Sequence, residues 1–141
     1  MLIQQLSIFL ENKKGRFTEV ANILGAAGVN MSAFTVAENS DFGILRLIVS
    51  DPDKAIRVLR ENRYAVSTTD VVCLYCPNEP GALAKAMDII TGAGIFVEYM
   101  YAFAQGESAH VIIRPDNTEK CVEVLQANQL TLLAASDLYK L

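Results

Sequence analysis

Asn78-Glu79-Pro80-Gly81-Ala82-Leu83 and, 66 residues earlier, Asn12-Lys13-Lys14-Gly15-Arg16-Phe17 are the two stretches from which the fold can be read. At this offset Asn12 aligns with Asn78, Gly15 with Gly81, Ile23 with Ile89, Ala27 with Ala93 and Gly28 with Gly94. The same offset continues without a gap through Lys54 and Lys120, Val58 and Val124, Leu59 and Leu125, and Asn62 and Asn128. Turn residues, apolar residues and glycines that coincide at one spacing are the mark of a tandem duplication. The first unit is residues 1–69 and the second residues 70–141. Each is small for an independent core, so a buried boundary between them is expected.

Working outward from the first turn, residues 2–10 are rich in Ile, Leu and Phe, as suits a strand buried on both faces. Phe17, Val20, Ala21, Leu24 and Ala27 recur at spacings of three and four, the stripe of an amphipathic helix, with Gly28 as its stop. Residues 31–37 and 44–49 read as strands joined by a polar hairpin, Glu38-Asn39-Ser40-Asp41-Phe42-Gly43. Ser50-Asp51-Pro52-Asp53 supplies an N-cap oxygen and a first-turn Pro for a second helix carrying Ala55, Val58 and Leu59. Residues 64–69 close the unit as a strand. The second unit repeats the order: strand 71–76, helix 83–93 ended by Gly94, strands 95–103 and 109–114, helix 118–127 and a last strand over 130–136.

Each unit therefore reads βαββαβ. The fold class is α+β: two tandem ferredoxin-like units with antiparallel sheets and helices on one face of each. Residues 64–76 form one strand-like run, broken only around Thr69-Asp70, which predicts units held side by side. Val97, Tyr99, Tyr101 and Phe103 are expected on one face of their strand and Met100 and Ala102 on the other. With both faces largely apolar, a homodimer is the simplest cover.

Composition narrows the function. The chain has 141 residues, 52% hydrophobic and 20% charged, enough apolar content to fold along its whole length. Twelve basic against sixteen acidic residues, a net charge of −4, give no footprint for nucleic acid. No signal peptide and no apolar run of membrane-spanning length is visible, so a cytoplasmic protein without a membrane partner is expected. Cys73, Cys76 and Cys121 make an odd count in a reducing compartment, and no disulfide framework is expected.

The turn before the first helix of each unit is where chemistry is expected. Pro80 at the second position of a tight turn fixes φ, and Gly81 at the third can take φ > 0, so the chain enters the helix sharply with its first amides unpaired. Those amides and the helix dipole favour a carboxylate, and Asn78 or Asn12 offers an amide donor and a carbonyl acceptor to an amino acid. Lys14 and Arg16 add positive charge at the first turn. The plainer alternative is that each Asn caps its turn and each Gly relieves sterics.

At these residues the sequence resembles the ACT domain family, small βαββαβ modules that bind amino acids and related metabolites and regulate enzymes or transcription. Asn78 to Leu83 is similar to the family's turn of Asp or Asn, any residue, Pro, Gly, any residue, Leu, and Gly94-Ile95 to its Gly-Ile helix end. The first unit keeps Asn12 and Gly15 but has Lys14 for Pro and Phe17 for Leu, while Gly28-Val29-Asn30 matches the later motif. The resemblance implies a non-catalytic regulatory module for a small amino acid or related carboxylate, signalling to a partner enzyme or transcription regulator, with no cofactor. The implied ligand residues are Asn78, Pro80, Gly81, Ala82 and Leu83 in the second unit. In the first they are Asn12, Lys14, Gly15, Arg16 and Phe17, with Asn30 and Met31 from the strand that lines the family's ligand cleft. The intact Asn-x-Pro-Gly favours the second turn over the first.

Rival chemistries are weaker. Cys73-Leu74-Tyr75-Cys76 is a C-x-x-C, but residues i and i+3 of a strand point to opposite faces, so no metal site is expected. Phe42-Gly43-Ile44-Leu45-Arg46-Leu47 faintly resembles an RNA-binding strand without its stacking aromatics. His110, alone on a strand beside Val111 and Ile112, reads as a packed residue and not as a catalytic one, which leaves a small isomerase or mutase and a purely structural subunit as the alternatives.

Overall fold

The computed structural model describes residues 2–38 and 41–139. In the N-terminal unit, β1 (Ile3–Glu11) leads into α1 (Arg16–Ala26), β2 (Met31–Glu38), β3 (Phe42–Val49), α2 (Pro52–Glu61) and the start of β4 (Val66–Pro77). Asn39 and Ser40 of the expected hairpin lie outside the described residues. The strand order is β2-β3-β1-β4, antiparallel, as in a ferredoxin-like unit. Leu6, Ile8 and Leu10 of β1 and Leu45, Leu47 and Val49 of β3 meet Val20 and Leu24 of α1 and Ala55 and Leu59 of α2 in one buried cluster. Both helices thus cover one face of the sheet. Truncating a fully buried member such as Leu24 to Ala costs about 2–5 kcal/mol.

Local chemistry sets the helix ends. The Asp51 carboxylate accepts from the Lys54 N–H at 3.2 Å, with Pro52 at the first helical position, as the sequence predicts. α1 stops where Gly28 turns left-handed at φ 74°, and the Val29 N–H donates to the Leu24 carbonyl at 2.9 Å.

The C-terminal unit repeats this plan from Asp70 of β4 through α3 (Ala82–Gly92), β5 (Val97–Gln105), β6 (Ser108–Pro115), α4 (Thr118–Ala127) and β7 (Thr131–Leu132), with strand order β5-β6-β4-β7. Its core joins Val72, Leu74 and Cys76 to Ala86, Ile90, Val111, Ile113, Cys121 and Leu125. Asn117 caps α4 by accepting from the Lys120 N–H at 3.0 Å, where Asp51 stands in the first repeat.

Four details differ from the sequence reading. β4 runs unbroken from Val66 to Pro77, because Thr69 and Asp70 continue the extended backbone. The last strand shrinks to Thr131–Leu132, and Ala135–Tyr139 forms a short helix, α5, that buries Leu138. Compact grouping does not follow the sequence at the tails either: Leu2 and Ile3 group with the C-terminal unit and residues 136–139 with the N-terminal one. Finally, a register shift between Val97 and Tyr99 turns Val97 into the helix-side core opposite Pro115, whereas Tyr101 and Phe103 oppose Ile112 and His110 on the other face. An identical shift separates Met31 from Ala33.

Candidate functional site

Both turns form as type II turns and do so by the same residue. The Ala82 N–H donates to the Glu79 carbonyl at 3.3 Å with Gly81 at φ 85°, ψ −12°, and the Arg16 N–H donates to the Lys13 carbonyl at 3.4 Å with Gly15 at φ 87°, ψ 1°. Lys14 stands where Pro80 stands, so the glycine fixes the turn and proline is dispensable. A Cβ on either glycine would meet nothing within 4 Å, so the requirement is conformational and not steric.

Among the described residues, neither helix start has a side-chain cap. Asn78 instead ties its turn to the β5–β6 hairpin, its N–H donating to the Glu107 carbonyl at 2.8 Å and its Nδ2 to the Gly106 carbonyl at 3.4 Å. The Glu19 N–H returns to the Gly15 carbonyl at 3.0 Å and the Lys85 N–H to that of Gly81 at 3.1 Å. Among the described residues, the amides of Phe17 and Thr18, and of Leu83 and Ala84, have no backbone acceptor. These are the anion-seeking donors of a helix start.

The surroundings of the two turns diverge. In the N-terminal unit residues 10–18, with Val36 of β2 and Gly43 of β3, line a cleft of about 390 Å³. Asn12, Lys14, Gly15, Arg16 and Phe17 are thus brought together. Phe17 rests on Phe34 with ring centroids 5.6 Å apart. Lys13 pairs with Glu11 at 3.0 Å, and Arg16 reaches Glu11 at 3.6 Å and Glu19 at 3.4 Å; among the described residues Lys14 forms no ion pair. The Glu11 carboxyl, bonded to Lys13 and flanked by Arg16, is held below the usual carboxylate range. In the C-terminal unit the recess is about 560 Å³ and lies against Tyr75, Pro77, Asn78, Glu79, Gly106 and Glu107. It is acidic, and Pro80, Gly81, Ala82 and Leu83 do not line it. Asn30 and Met31 are not brought to either turn within the chain: the Asn30 N–H and carbonyl are bonded to the Ser50 Oγ and N–H, both at 2.9 Å, and Met31 packs on the core.

A second N-terminal cleft, about 450 Å³, lies beside the first and shares Leu10, Glu11 and Arg16 with it. Glu19, Phe9, Phe42, Asn62, Arg63, Tyr64 and Ala65 complete it. The Tyr64 hydroxyl is screened from solvent and, among the described residues, lacks a well-formed hydrogen bond. Burial first, then the Glu19 carboxylate, raise its pKa. Sequence reading missed Leu10, Glu11, Lys13, Thr18, Val36 and Gly43 of the first cleft and, of the second, every residue but Arg16. Gly43 was the available signal, since a glycine inside a strand leaves room beside it.

The remaining chemical candidates are packed. His110 is 6% exposed, stacked on Phe103 with centroids 4.9 Å apart and edge-on to Tyr75 at 5.8 Å. Burial lowers its pKa, and among the described residues its Nδ1 has no hydrogen-bond partner. Cys73 and Cys76 are both buried, and only Cys76 joins the helix-side core. Among the described residues no cluster suited to a metal ion occurs, and no helix is long and apolar enough to cross a membrane.

No curated protein matches the sequence. A crystal structure of a protein from Bacteroides thetaiotaomicron is 58% identical over 100% of this chain and 98% of that one, with a TM-score of 0.97. The regulatory subunit of aspartate kinase from Thermus thermophilus, in its ligand-free form, superposes with a TM-score of 0.65 at 12% identity, covering 88% of this chain and 90% of that one. Its counterpart from Thermus flavus gives 0.64 at 14% identity, covering 90% and 93%. At such identities these two subunits share the fold alone. A family model described as an ACT domain pair matches residues 1–141, both repeats from end to end, and the chain therefore belongs to that family.

Proposed function

We propose that the protein is a non-catalytic cytoplasmic regulator that binds a small amino acid or related carboxylate at the turn before the first helix, chiefly in the N-terminal unit, and signals to a partner enzyme or transcription regulator. The observation that carries the reading is the N-terminal cleft. A left-handed Gly15 opens α1 with the Phe17 and Thr18 amides free of backbone acceptors, and Lys14, without an ion pair among the described residues, stands beside them. A carboxylate placed there meets the helix dipole, two donors and a cation. The C-terminal turn has the same backbone but presents Glu79 and Glu107, which repel an anion. Sequence alone favours Asn78 to Leu83; local charge favours Asn12 to Phe17.

The test is a calorimetric or thermal-shift screen of the twenty amino acids, pyruvate and aromatic acids. A ligand at 100 times its Kd stabilises by about 2.7 kcal/mol. Lys14→Ala is expected to weaken a hit by about tenfold, and Asn78→Ala by less. A screen without a hit would favour a structural subunit, and turnover without a partner would favour an enzyme. The helix-free face of the C-terminal unit, where Tyr75 is 40% exposed, supports a homodimer, and sedimentation showing a monomer at micromolar concentration would exclude it.

A further inference from the structure

We propose that the second N-terminal cleft is a separate site for a zwitterionic amino acid with an aromatic side chain. Its polar wall carries both signs, Arg16 and Arg63 against Glu11 and Glu19, as a carboxylate and an ammonium on one carbon require. Across from them stand Phe9, 48% exposed, and Phe42, 37% exposed, edge to face with centroids 5.8 Å apart. An aromatic side group laid on these rings exchanges water-exposed apolar surface for ring contact.

The duplication supplies an internal control. The same scaffold at the same place in the C-terminal unit has Pro77 for Glu11, Ala82 for Arg16, Lys85 for Glu19, Gln129 for Arg63 and Leu130 for Tyr64. The backbone does not differ: Arg63 and Gln129 are both left-handed, at φ 67° and 62°, and Asn62 and Asn128 each donate Nδ2 to the carbonyl four residues back, at 2.7 and 2.8 Å. The fold therefore needs none of the charges or the hydroxyl; Arg16 pairs with Glu11 and Glu19, but Arg63 forms no ion pair among the described residues, and a ligand gives its place beside them a physical reason. The screened Tyr64 hydroxyl stands beside Arg16 and Glu19 and adds a further polar group to this wall.

The experiment titrates L-phenylalanine into the full chain and follows backbone amide shifts. Saturable shifts at residues 62–65 are expected. Arg63→Gln and Tyr64→Leu, the side chains this fold already holds at 129 and 130, are expected to weaken binding at least tenfold with little change in Tm. Phenethylamine, lacking the carboxylate, and 3-phenylpropionate, lacking the ammonium, should each bind at least tenfold more weakly. Shifts confined to residues 12–18, affinity unchanged in both variants, or equal binding of either analogue would overturn the proposal. The turn reading fails separately: Lys14→Ala would then leave every hit unchanged while residues 62–65 still respond.

Discussion

Gly15 and Gly81 hold one backbone conformation, φ 87° and 85°, though the residue before the first is Lys14 and before the second Pro80. A methyl group at either glycine would have no atom within 4 Å, so the cost of a side chain is the left-handed penalty alone, about 1–2 kcal/mol. Gly15→Ala and Gly81→Ala should each lower Tm by a few degrees, to similar extents.

Lys14→Pro separates charge from shape. Since Pro80 occupies the equivalent turn position, the substitution should be accepted with a stability change of about 1 kcal/mol or less, stabilising through the unfolded chain. The same variant removes the Lys14 cation from the cleft, so carboxylate affinity should fall by about tenfold. Urea titration and calorimetry on one preparation check both halves; a large loss of stability would mean that the Lys14 backbone differs from that of Pro80.

Gln129, left-handed at φ 62° after α4, is a non-glycine residue where Gly is the usual choice. Gln129→Gly relieves about 1–2 kcal/mol of backbone cost and adds roughly 0.5–1 kcal/mol of unfolded-state entropy, so a net gain of about 0.5 kcal/mol is expected in urea unfolding. Destabilisation would show that the Gln129 side chain does more than fill the position.

How far the sequence was legible follows from which interactions are local. The turns, the Asp51 cap and the α1 stripe depend on residues within a few positions of each other, and they form where the sequence predicts. The shift that sends Val97 into the core is set by pairing with Pro115, eighteen residues away, and period-two counting cannot see it. α5 is similar: Ala135 to Tyr139 has no helical length of its own and is fixed by burying Leu138. The second cleft escaped because Arg63 and Tyr64 are more than forty residues from Glu11, Arg16 and Glu19, and only the fold sets them beside one another.

His110 gives the protein a pH dependence of known sign. Its pKa is lowered by burial from the ordinary value of about 6.5, so the unfolded chain binds the proton more readily. The stability it contributes is complete above about pH 6.5 and is lost as pH falls below that toward the folded value. His110→Phe keeps a ring on Phe103 and removes the proton site. Urea midpoints for the wild type should fall between pH 7.5 and 5.5 more than those of the variant; parallel behaviour would locate the titration elsewhere.

The cysteines separate a thiolate pair from a packed strand. Burial pushes the Cys73 thiol up to about 12 and, with Asp116 adding to it, the Cys121 thiol up to about 11; the Cys76 thiol is also raised. At pH 8 the reactive thiolate is then only about one part in ten thousand of Cys73 and one in a thousand of Cys121. Cys73 and Cys76 lie on opposite faces of β4, opposite Ile112 and Ala109 of β6, so the two sulfurs cannot close on one ion without breaking the ladder. Iodoacetamide at pH 8 is therefore expected to leave the folded chain largely unmodified and to label all three thiols in urea, and equimolar zinc should leave Tm unchanged. Rapid labelling of both Cys73 and Cys76 in the folded state, with a zinc-dependent rise in Tm, would mean that β4 opens at its end and that the C-x-x-C binds metal.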